Sequence, residues 1–248
     1  MNYKKIKSQF FNDGFVVLQN LVSLKEIDKI FEDLKVIKKI VIKKNNKQFF
    51  HYSKKNEINS IHNINSFRRN GGVIEISKKK KIVNIIEKIF DDKVIMRNCE
   101  FFLKPKKNGL NVPFHQDNFY WNIKDSKALN IWIACSKSSK KNGGLCYLKN
   151  SHKLGTINHE VSFKKGSSQK ISDEMIKKIN FKRVFPKLNV GDVLFHHCEI
   201  IHGSYANKSN QDRIGLAISY KSKMSKIDNL KNLKYKLSLK KNLKKIYN

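Results

Sequence analysis

The chain has 248 residues, 40% of them apolar, which is enough for one large domain with a hydrophobic core. No apolar run approaches the roughly 20 residues that cross a bilayer, and the basic N-terminus lacks the apolar stretch of a signal peptide. We therefore expect a globular protein without a membrane span, located in the cytoplasm, whose four cysteines are reduced thiols.

The formal net charge of +32 is the most unusual bulk property. Such a charge typically indicates a polyanionic partner. However, only 5 of the 52 basic residues are arginine, the residue best suited to bidentate phosphate and base recognition. Lysine is spread over the whole chain together with much isoleucine and asparagine, as A/T-rich coding would produce. We expect no specific nucleic-acid partner, and the origin of the charge stays open.

The first part of the chain, residues 1–92, is predicted to be mainly helical. The stretch "FVVLQNL" indicates a short strand. The segment 23–40 that follows begins with Ser23 and has Glu26 three residues later, which is a capping box before a helical apolar pattern. Residues 78–90 predict a second amphipathic helix with lysines on its exposed face.

From residue 94 to about 222 the pattern changes to short apolar runs bounded by turn residues, which predict strands. These runs are "VIMRNCEFFLK", "LNIWIAC", "GGLCYLK", "NVGDVLFHH", "EIIHGSYA" and "RIGLAISY". Between them, residues 156–182 are polar and partly helical, like an insertion or lid, and 223–248 form a basic tail that is helical or frayed. Helices followed by strands predict a single α+β domain over 1–248 with an antiparallel β core.

The stretch "PFHQDNFYWN" (113–122) contains the first candidate metal ligands. On a strand, His115 and Asp117 would point to the same face. They would supply two ligands of a 2-His-1-carboxylate triad, which binds Fe(II) and leaves positions open for chemistry. His202, 85 residues after Asp117 at the end of another predicted strand, is the candidate third ligand.

Arg213 follows His202 by eleven residues and begins an apolar strand, so its side chain is expected to be partly buried. A buried arginine needs an anionic partner, and a dicarboxylate co-substrate would provide one. Because this chain uses lysine almost everywhere else, an arginine here indicates a need for the planar guanidinium.

At this point the sequence resembles the phytanoyl-CoA dioxygenase (PhyH) family of Fe(II)/2-oxoglutarate-dependent oxygenases. The resemblance rests on the order His-x-Asp, a distant "HGS" and an arginine eleven residues on. It extends over "DGFVVLQNLVS", "LNIWIAC", "NGGLCYLKNSHKLG" and "GDVLFHHCEIIHGSYANKSNQDRIGLAISY", from about residue 8 to 220. It implies a double-stranded β-helix (a cupin-like jelly roll) with helices packed outside. It also implies Fe(II), 2-oxoglutarate and O2 as cofactor and co-substrates.

The resemblance also implies roles for individual residues. His115, Asp117 and His202 would bind iron. Arg213 would pair with the distal carboxylate of 2-oxoglutarate, with Ser204 hydrogen-bonding beside it and Trp132 forming a wall of the pocket. The implied reaction hydroxylates an unactivated C–H bond of a small-molecule substrate and releases succinate and CO2. The carboxylate of Asp117 favours hydroxylation over halogenation, because related halogenases carry a small residue there.

Four further residues are candidates for the substrate site. Tyr120 and Trp121 either pack in the core or line the substrate pocket. Gln116 would point away from the ligands on a regular strand, and Lys104 could reach an anionic substrate or co-substrate. His196 and His197 lie close to the predicted metal strand, and each is interpreted as a core or surface histidine, with a place near the pocket as the alternative for one of them.

Two other functions stay open. A catalytically inert jelly roll could use the positive charge to bind nucleic acid or an anionic glycan. A different metal enzyme, such as a cupin isomerase, would not need Arg213. The substrate's identity and the oligomeric state are not predicted.

Overall fold

A computed structural model describes residues 1–44, 49–53, 57–164 and 167–247, with side chains up to residue 240. The helices in these ranges are α1 (Tyr3–Asp13), α2 (Leu24–Lys44), α3 (Ile64–Phe67), α4 (Gly72–Ser77), α5 (Lys80–Phe90), α6 (Asp117–Trp121), α7 (Asp173–Lys178) and α8 (Asn229–Tyr247). The strands are β1 (Phe15–Leu18), β2 (Phe50–Tyr52), β3 (Ile58–Ile61), β4 (Val94–Lys104), β5 (Val112–His115), β6 (Ala128–Ala134), β7 (Leu145–Leu148), β8 (Glu160–Lys164), β9 (Ser167–Lys170), β10 (Arg183–Val184), β11 (Val193–His197), β12 (His202–Ser204) and β13 (Arg213–Ser222).

Two antiparallel sheets form the β core. The large sheet has the strand order β1-β11-β6-β13-β4-β3-β2, and the small sheet has the order β10-β7-β12-β5. The strands β8 and β9 form a separate hairpin. This arrangement, with helices added before and after it, confirms the expected α+β jelly-roll fold.

The large sheet has two faces of different chemistry because side chains alternate along each strand. On β4, Cys99, Phe101 and Leu103 point outward into the main hydrophobic core, where they pack with the N-terminal helices. Phe102 points inward and packs with an inner cluster that contains Trp132 and other residues of the jelly-roll interior. The helices therefore seal the outer face, and the inner face is left for the functional site.

The predicted helices are present with small shifts in their ends. At the start of α2, the Ser23 hydroxyl accepts a hydrogen bond from the Glu26 amide at 3.3 Å, and the Glu26 carboxylate accepts one from the Ser23 amide at 2.8 Å. The capping box is thus formed as expected. The segment "FVVLQNL" supplies β1, which pairs with β11 at the edge of the large sheet.

The segment 156–182 is more regular than its composition suggested. It contains the β8–β9 hairpin and α7, and the C-terminal helix α8 packs on this hairpin. Gln169 Nε2 donates a hydrogen bond to Ser238 Oγ at 2.9 Å across that contact. Among the described helices, α8 included, none combines the length and the apolar character that crossing a membrane requires.

Candidate metal centre

His115 and Asp117 lie on either side of a strand-to-helix junction. The strand β5 ends at His115, and Asp117 is the first residue of α6. The expectation that both residues lie on one continuous strand is therefore wrong. The side chain of Asn118 explains the turn, because its Oδ1 accepts a hydrogen bond from the Ile123 amide at 2.9 Å and its Nδ2 donates to the Ile123 carbonyl at 3.1 Å. The turn still directs Asp117 toward His115.

His202 lies on the neighbouring strand β12, directly opposite His115 in the antiparallel register. The Nε2 atoms of His115 and His202 are 3.7 Å and 3.8 Å from Asp117 Oδ1. The candidate ligand atoms of all three residues lie within 4.8 Å of one another. The structure therefore brings together the three predicted metal ligands, and their donor set of two imidazoles and one carboxylate fits a non-haem Fe(II) site.

The backbone orients both imidazoles for metal binding. His115 Nδ1 lies 2.9 Å from the Pro113 carbonyl, and His202 Nδ1 lies 3.0 Å from the Ile200 carbonyl. A carbonyl only accepts, so each Nδ1 carries the proton and each Nε2 keeps a free lone pair. Burial lowers the pKa of both histidines to about 4, which keeps them neutral at physiological pH.

Asp117 is oriented by a series of hydrogen-bonded side chains that was not predicted from the sequence. His196 Nε2 lies 3.1 Å from Asp117 Oδ2, and the Tyr147 hydroxyl donates to His196 Nδ1 at 2.9 Å. Asn130 Nδ2 also approaches Oδ2, at 3.4 Å. Burial alone would raise the pKa of Asp117, but His202 and His196 hold it well below its usual range. The carboxylate is thus ionised, and its Oδ1 faces the two histidines.

Arg213 and Lys104 place two cationic side chains in the interior, opposite each other in the β13–β4 register. Arg213 Nε and Nη1 are buried without a hydrogen-bond partner. Lys104 donates to Ser204 Oγ at 2.7 Å and to the Tyr205 carbonyl. Burial lowers the pKa of Arg213 to about 9, and burial together with Arg213 lowers that of Lys104. No carboxylate of the described residues forms an ion pair with either cation.

Trp132 lies beside this pair, with the Arg213 guanidinium 5.2 Å from its ring centroid. Its ring packs against the backbone of β13 at Gly215. A side chain at this position would clash with the ring, because its Cβ atom would lie 1.9 Å from Trp132 Cζ2. Trp132 Nε1 is buried and has no hydrogen-bond partner. This corner of the interior therefore offers unpaired donors around two cations, which fits the distal carboxylate of a dicarboxylate such as 2-oxoglutarate.

The aromatic residues after Asp117 have different surroundings. The Tyr120 ring is 5.7 Å from that of His115, and the Tyr120 hydroxyl donates to the Gln169 carbonyl at 3.0 Å. Trp121 packs beside Ile123 and carries the Arg97 guanidinium 4.5 Å from its ring centroid. Tyr120 is thus close to the metal ligands, whereas one face of Trp121 is covered.

Gln116 is fully buried and bonded at both ends of its amide. Its Nε2 donates to the carbonyls of Gly155 and Glu199 at 2.7 Å and 2.6 Å, and its Oε1 accepts from the Ile157 amide at 2.8 Å. These bonds to three loop backbones occupy the side chain, so we do not propose Gln116 as a substrate residue.

Comparison with known proteins supports the same class. The family model for phytanoyl-CoA dioxygenase (PhyH) matches residues 10–215. The chain is 25% identical to a probable alpha-ketoglutarate-dependent hypophosphite dioxygenase of Stutzerimonas stutzeri, over 86% of this chain and 76% of that protein. It is 24% identical to the peroxisomal phytanoyl-CoA dioxygenase of Homo sapiens, over 85% of this chain and 65% of that protein.

Solved structures show the same fold. AviO1 from Streptomyces viridochromogenes Tue57 superimposes with a TM-score of 0.71 at 15% identity, covering 91% of this chain and 97% of its own. EctD from S. alaskensis, solved with 2-oxoglutarate and 5-hydroxyectoine, superimposes with a TM-score of 0.70 at 18% identity, covering 90% and 77%. The family match over most of the chain confirms the expectation from sequence: the protein belongs to the phytanoyl-CoA dioxygenase (PhyH) family of Fe(II)- and 2-oxoglutarate-dependent non-haem iron dioxygenases.

Proposed function

We propose that this enzyme hydroxylates an unactivated C–H bond of a small molecule and converts 2-oxoglutarate to succinate and CO2, with His115, Asp117 and His202 as the iron ligands. The observation that carries the proposal is the convergence of these three side chains within 4.8 Å, each with a free ligand atom directed at the others. When bound, Fe(II) with 2-oxoglutarate and O2 supplies the oxidant for C–H hydroxylation.

Arg213 and Lys104 would bind the distal carboxylate of 2-oxoglutarate. Two buried cations without an anion are unfavourable, and one carboxylate between them would satisfy the free guanidinium N–H groups. Ser204 accepts from Lys104 and so holds the ammonium in place. Trp132 would form the wall of this co-substrate pocket. In this proposal Lys104 binds the co-substrate. The sequence had suggested either an anionic substrate or the co-substrate as its ligand.

The other polar residues near the metal ligands would orient groups and exclude water. His196, held by Tyr147, fixes the rotation of the Asp117 carboxylate. Tyr120 closes the side of the site next to His115 and is itself fixed by the β9 backbone. Tyr235 of α8 packs on Tyr120 with ring centroids 5.5 Å apart, so the C-terminal helix adds a further layer over this side.

Succinate release tests the proposal. Wild-type protein with Fe(II), 2-oxoglutarate, O2 and a panel of metabolites is expected to release succinate. Removing one partner that orients a metal ligand typically costs 10–100-fold, so removing a ligand itself in Asp117→Ala should lower the rate at least about 100-fold. Asp173→Ala, at an exposed carboxylate, is the matched control and should keep the wild-type rate.

Two results would reject this function. Succinate release that persists in Asp117→Ala would exclude the proposed iron site. A wild-type protein that never releases succinate, yet binds DNA with a steep dependence on salt, would instead be the inert polyanion-binding jelly roll.

A further inference from the structure

A row of three polar side chains crosses the inner face of the large sheet beside the metal ligands. Asn98 on β4, Ser219 on β13 and Asn130 on β6 are register partners on adjacent strands. The next residue in the row, on β11, is His196, which contacts Asp117. The row therefore leads across the sheet to the carboxylate of the metal centre.

Each member of this row has an unused oxygen. Asn98 Oδ1, Ser219 Oγ and Asn130 Oδ1 are buried without a hydrogen-bond partner. Carboxylates fix both amide orientations, since Asn98 Nδ2 donates to Glu100 at 2.9 Å and Asn130 Nδ2 faces Asp117 at 3.4 Å. The free amide atoms are thus acceptors. Buried polar groups are normally satisfied, so the row calls for a molecule that brings donors.

Glu100 extends this acceptor set by one position along β4. It lies two residues from Asn98, so its side chain points to the same inner face. Its Oε1 contacts His62 at 3.0 Å and Asn98, while no described residue hydrogen-bonds to Oε2. Its side chain is 25% exposed, which leaves a ligand access to it. Its negative charge acts on His115 of the metal centre and on Tyr235 of α8.

Glu100 is unusual because, in a chain of net charge +32, no lysine or arginine of the described part pairs with it. Arg97, a cation on the same strand, stacks on Trp121, and its charge acts more on Asp117 than on Glu100 without an ion pair to either carboxylate. Asp33, a buried carboxylate elsewhere, does have an arginine, with Arg68 Nε at 2.7 Å. A partly buried carboxylate that faces a substrate site without a strong cation partner is suited to a cationic ligand.

We infer that Asn98, Ser219, Asn130 and Glu100 form the substrate subsite, and that the substrate is a small donor-rich molecule with a protonated amine, of the amino alcohol or amino sugar class. The amine would pair with Glu100 and hydroxyl groups would donate to the row. An anionic substrate would instead face the carboxylates of Glu100 and Asp117. The inference rests on the proposed function, because it treats the inner face of the jelly roll as the place of catalysis.

Binding measurements on the complete chain test the inference. The protein loaded with Fe(II) and 2-oxoglutarate without O2 is titrated by calorimetry with two matched series: glucosamine, glucose and glucuronate, and 3-amino-1,2-propanediol, glycerol and glycerate. The amine of each series is expected to bind at least about 10-fold more tightly than its neutral and acidic counterparts, since hydrogen bonds to charged groups stabilise more than neutral ones.

Two variants separate the charge from the hydrogen bonds. Glu100→Gln has nearly the same shape but no charge, and it should weaken amine binding about 10- to 100-fold and remove the preference for the amine. Ser219→Ala should weaken the amine and the neutral compound alike, by about 3- to 10-fold. Glu32→Gln, the same change at an exposed carboxylate, is the control and should bind as wild type does.

Three outcomes would overturn the inference: tighter binding of glucuronate or glycerate, an amine preference that survives Glu100→Gln, or no binding of any donor-rich probe. These failures are distinct from failure of the proposed function, which would appear as absence of succinate release over the metabolite panel. A protein that releases succinate yet prefers the acidic probes would keep the enzyme class and lose the substrate class.

Discussion

The two proposed ligand histidines share one local hydrogen bond, which leaves Nε2 free to bind a metal. In both His115 and His202, Nδ1 bonds the carbonyl two residues earlier in the chain. His159 makes the same contact with Ile157. The residue types and their spacing were readable from the sequence, because His-x-Asp and a distant strand-end histidine form a pattern. The tautomer of each histidine could not be predicted from the sequence, because it depends on where the backbone carbonyls point.

The roles of His196 and Asn130 were likewise hidden. Each is one polar residue in a hydrophobic strand, and nothing local distinguishes a residue that orients Asp117 from one that packs. Only the register of β11 against β6 places the two side by side at the same carboxylate. The role inferred for Glu100 could not be predicted from the sequence either. That role follows from the lack of a lysine or arginine ion pair, which only the folded structure shows.

Arg213→Met tests whether the buried guanidinium serves stability or the co-substrate. Without 2-oxoglutarate, the variant should be as stable as the wild type or more stable, because a buried cation without an anion is replaced by an apolar side chain of similar length. The KM for 2-oxoglutarate should rise at least about 10-fold, since the charge-assisted bonds are lost. Thermal unfolding and succinate release at varied 2-oxoglutarate measure the two effects.

Arg69→Met is the matched control, because Arg69 is exposed and should change neither quantity. If Arg213→Met instead destabilises the protein and leaves the KM unchanged, the arginine is structural and 2-oxoglutarate binds elsewhere.

Strands that lie within or next to apolar runs were predictable from the sequence, and those in lysine- and asparagine-rich segments were not. Six apolar runs of the sequence contain or overlap β4, β6, β7, β11, β12 and β13, because runs rich in Val, Ile, Leu and Phe between turn residues are typical of buried strands. The strands β2 and β3 lie in a Lys- and Asn-rich region without clear alternation. The helix α6 interrupts the predicted strand through Asp117 because the Asn118 side chain closes a turn that composition does not reveal.

The buried carboxylate of Asp33 links α2 to the start of α4 and to the residues before it. It accepts hydrogen bonds from Arg68 Nε at 2.7 Å and from the Val73 amide at 3.1 Å. Asp33→Ala would leave both donors without a partner, and we expect a loss of about 2–4 kcal/mol in the free energy of unfolding. Asp28→Ala, at an exposed position of the same helix, should stay within about 0.5 kcal/mol. Urea unfolding measures both, and equal losses would show that the contact contributes little.

The interior and the surface of the molecule differ in the charged side chains that they carry. The jelly-roll interior holds a small number of charged side chains, including Asp117, Glu100, Arg97, Arg213 and Lys104. Among the lysines whose side chains the structure describes, Lys104 is buried and the others keep contact with solvent. The net charge of +32 is thus a property of the surface, where arginine is nearly absent. A/T-rich coding would produce such a surface, and the side chains proposed to bind iron and 2-oxoglutarate do not depend on it.

The buried histidines predict that the metal-free protein loses stability in mild acid. The pKa values of His115 and His202 are lowered to about 4, and those of His159 and His197 to about 3, in each case mainly by burial. In the unfolded chain these residues titrate near their ordinary value of about 6.5. As the pH falls below 6.5, the unfolded state gains protons that the folded state cannot accept until about pH 4, so the stabilisation present above 6.5 is progressively lost.

With four such residues, the free energy of unfolding should fall by up to about 5 kcal/mol per pH unit between about pH 6 and 4.5. Urea unfolding of the metal-free protein at stepped pH gives this slope. His197→Phe should reduce the slope by about a quarter, because Phe can occupy the ring cluster of Phe10 and His152 without taking up a proton. A flat profile down to pH 4.5 would mean that these imidazoles take up protons in the folded protein as readily as in the unfolded chain, so that burial does not keep His115 and His202 neutral.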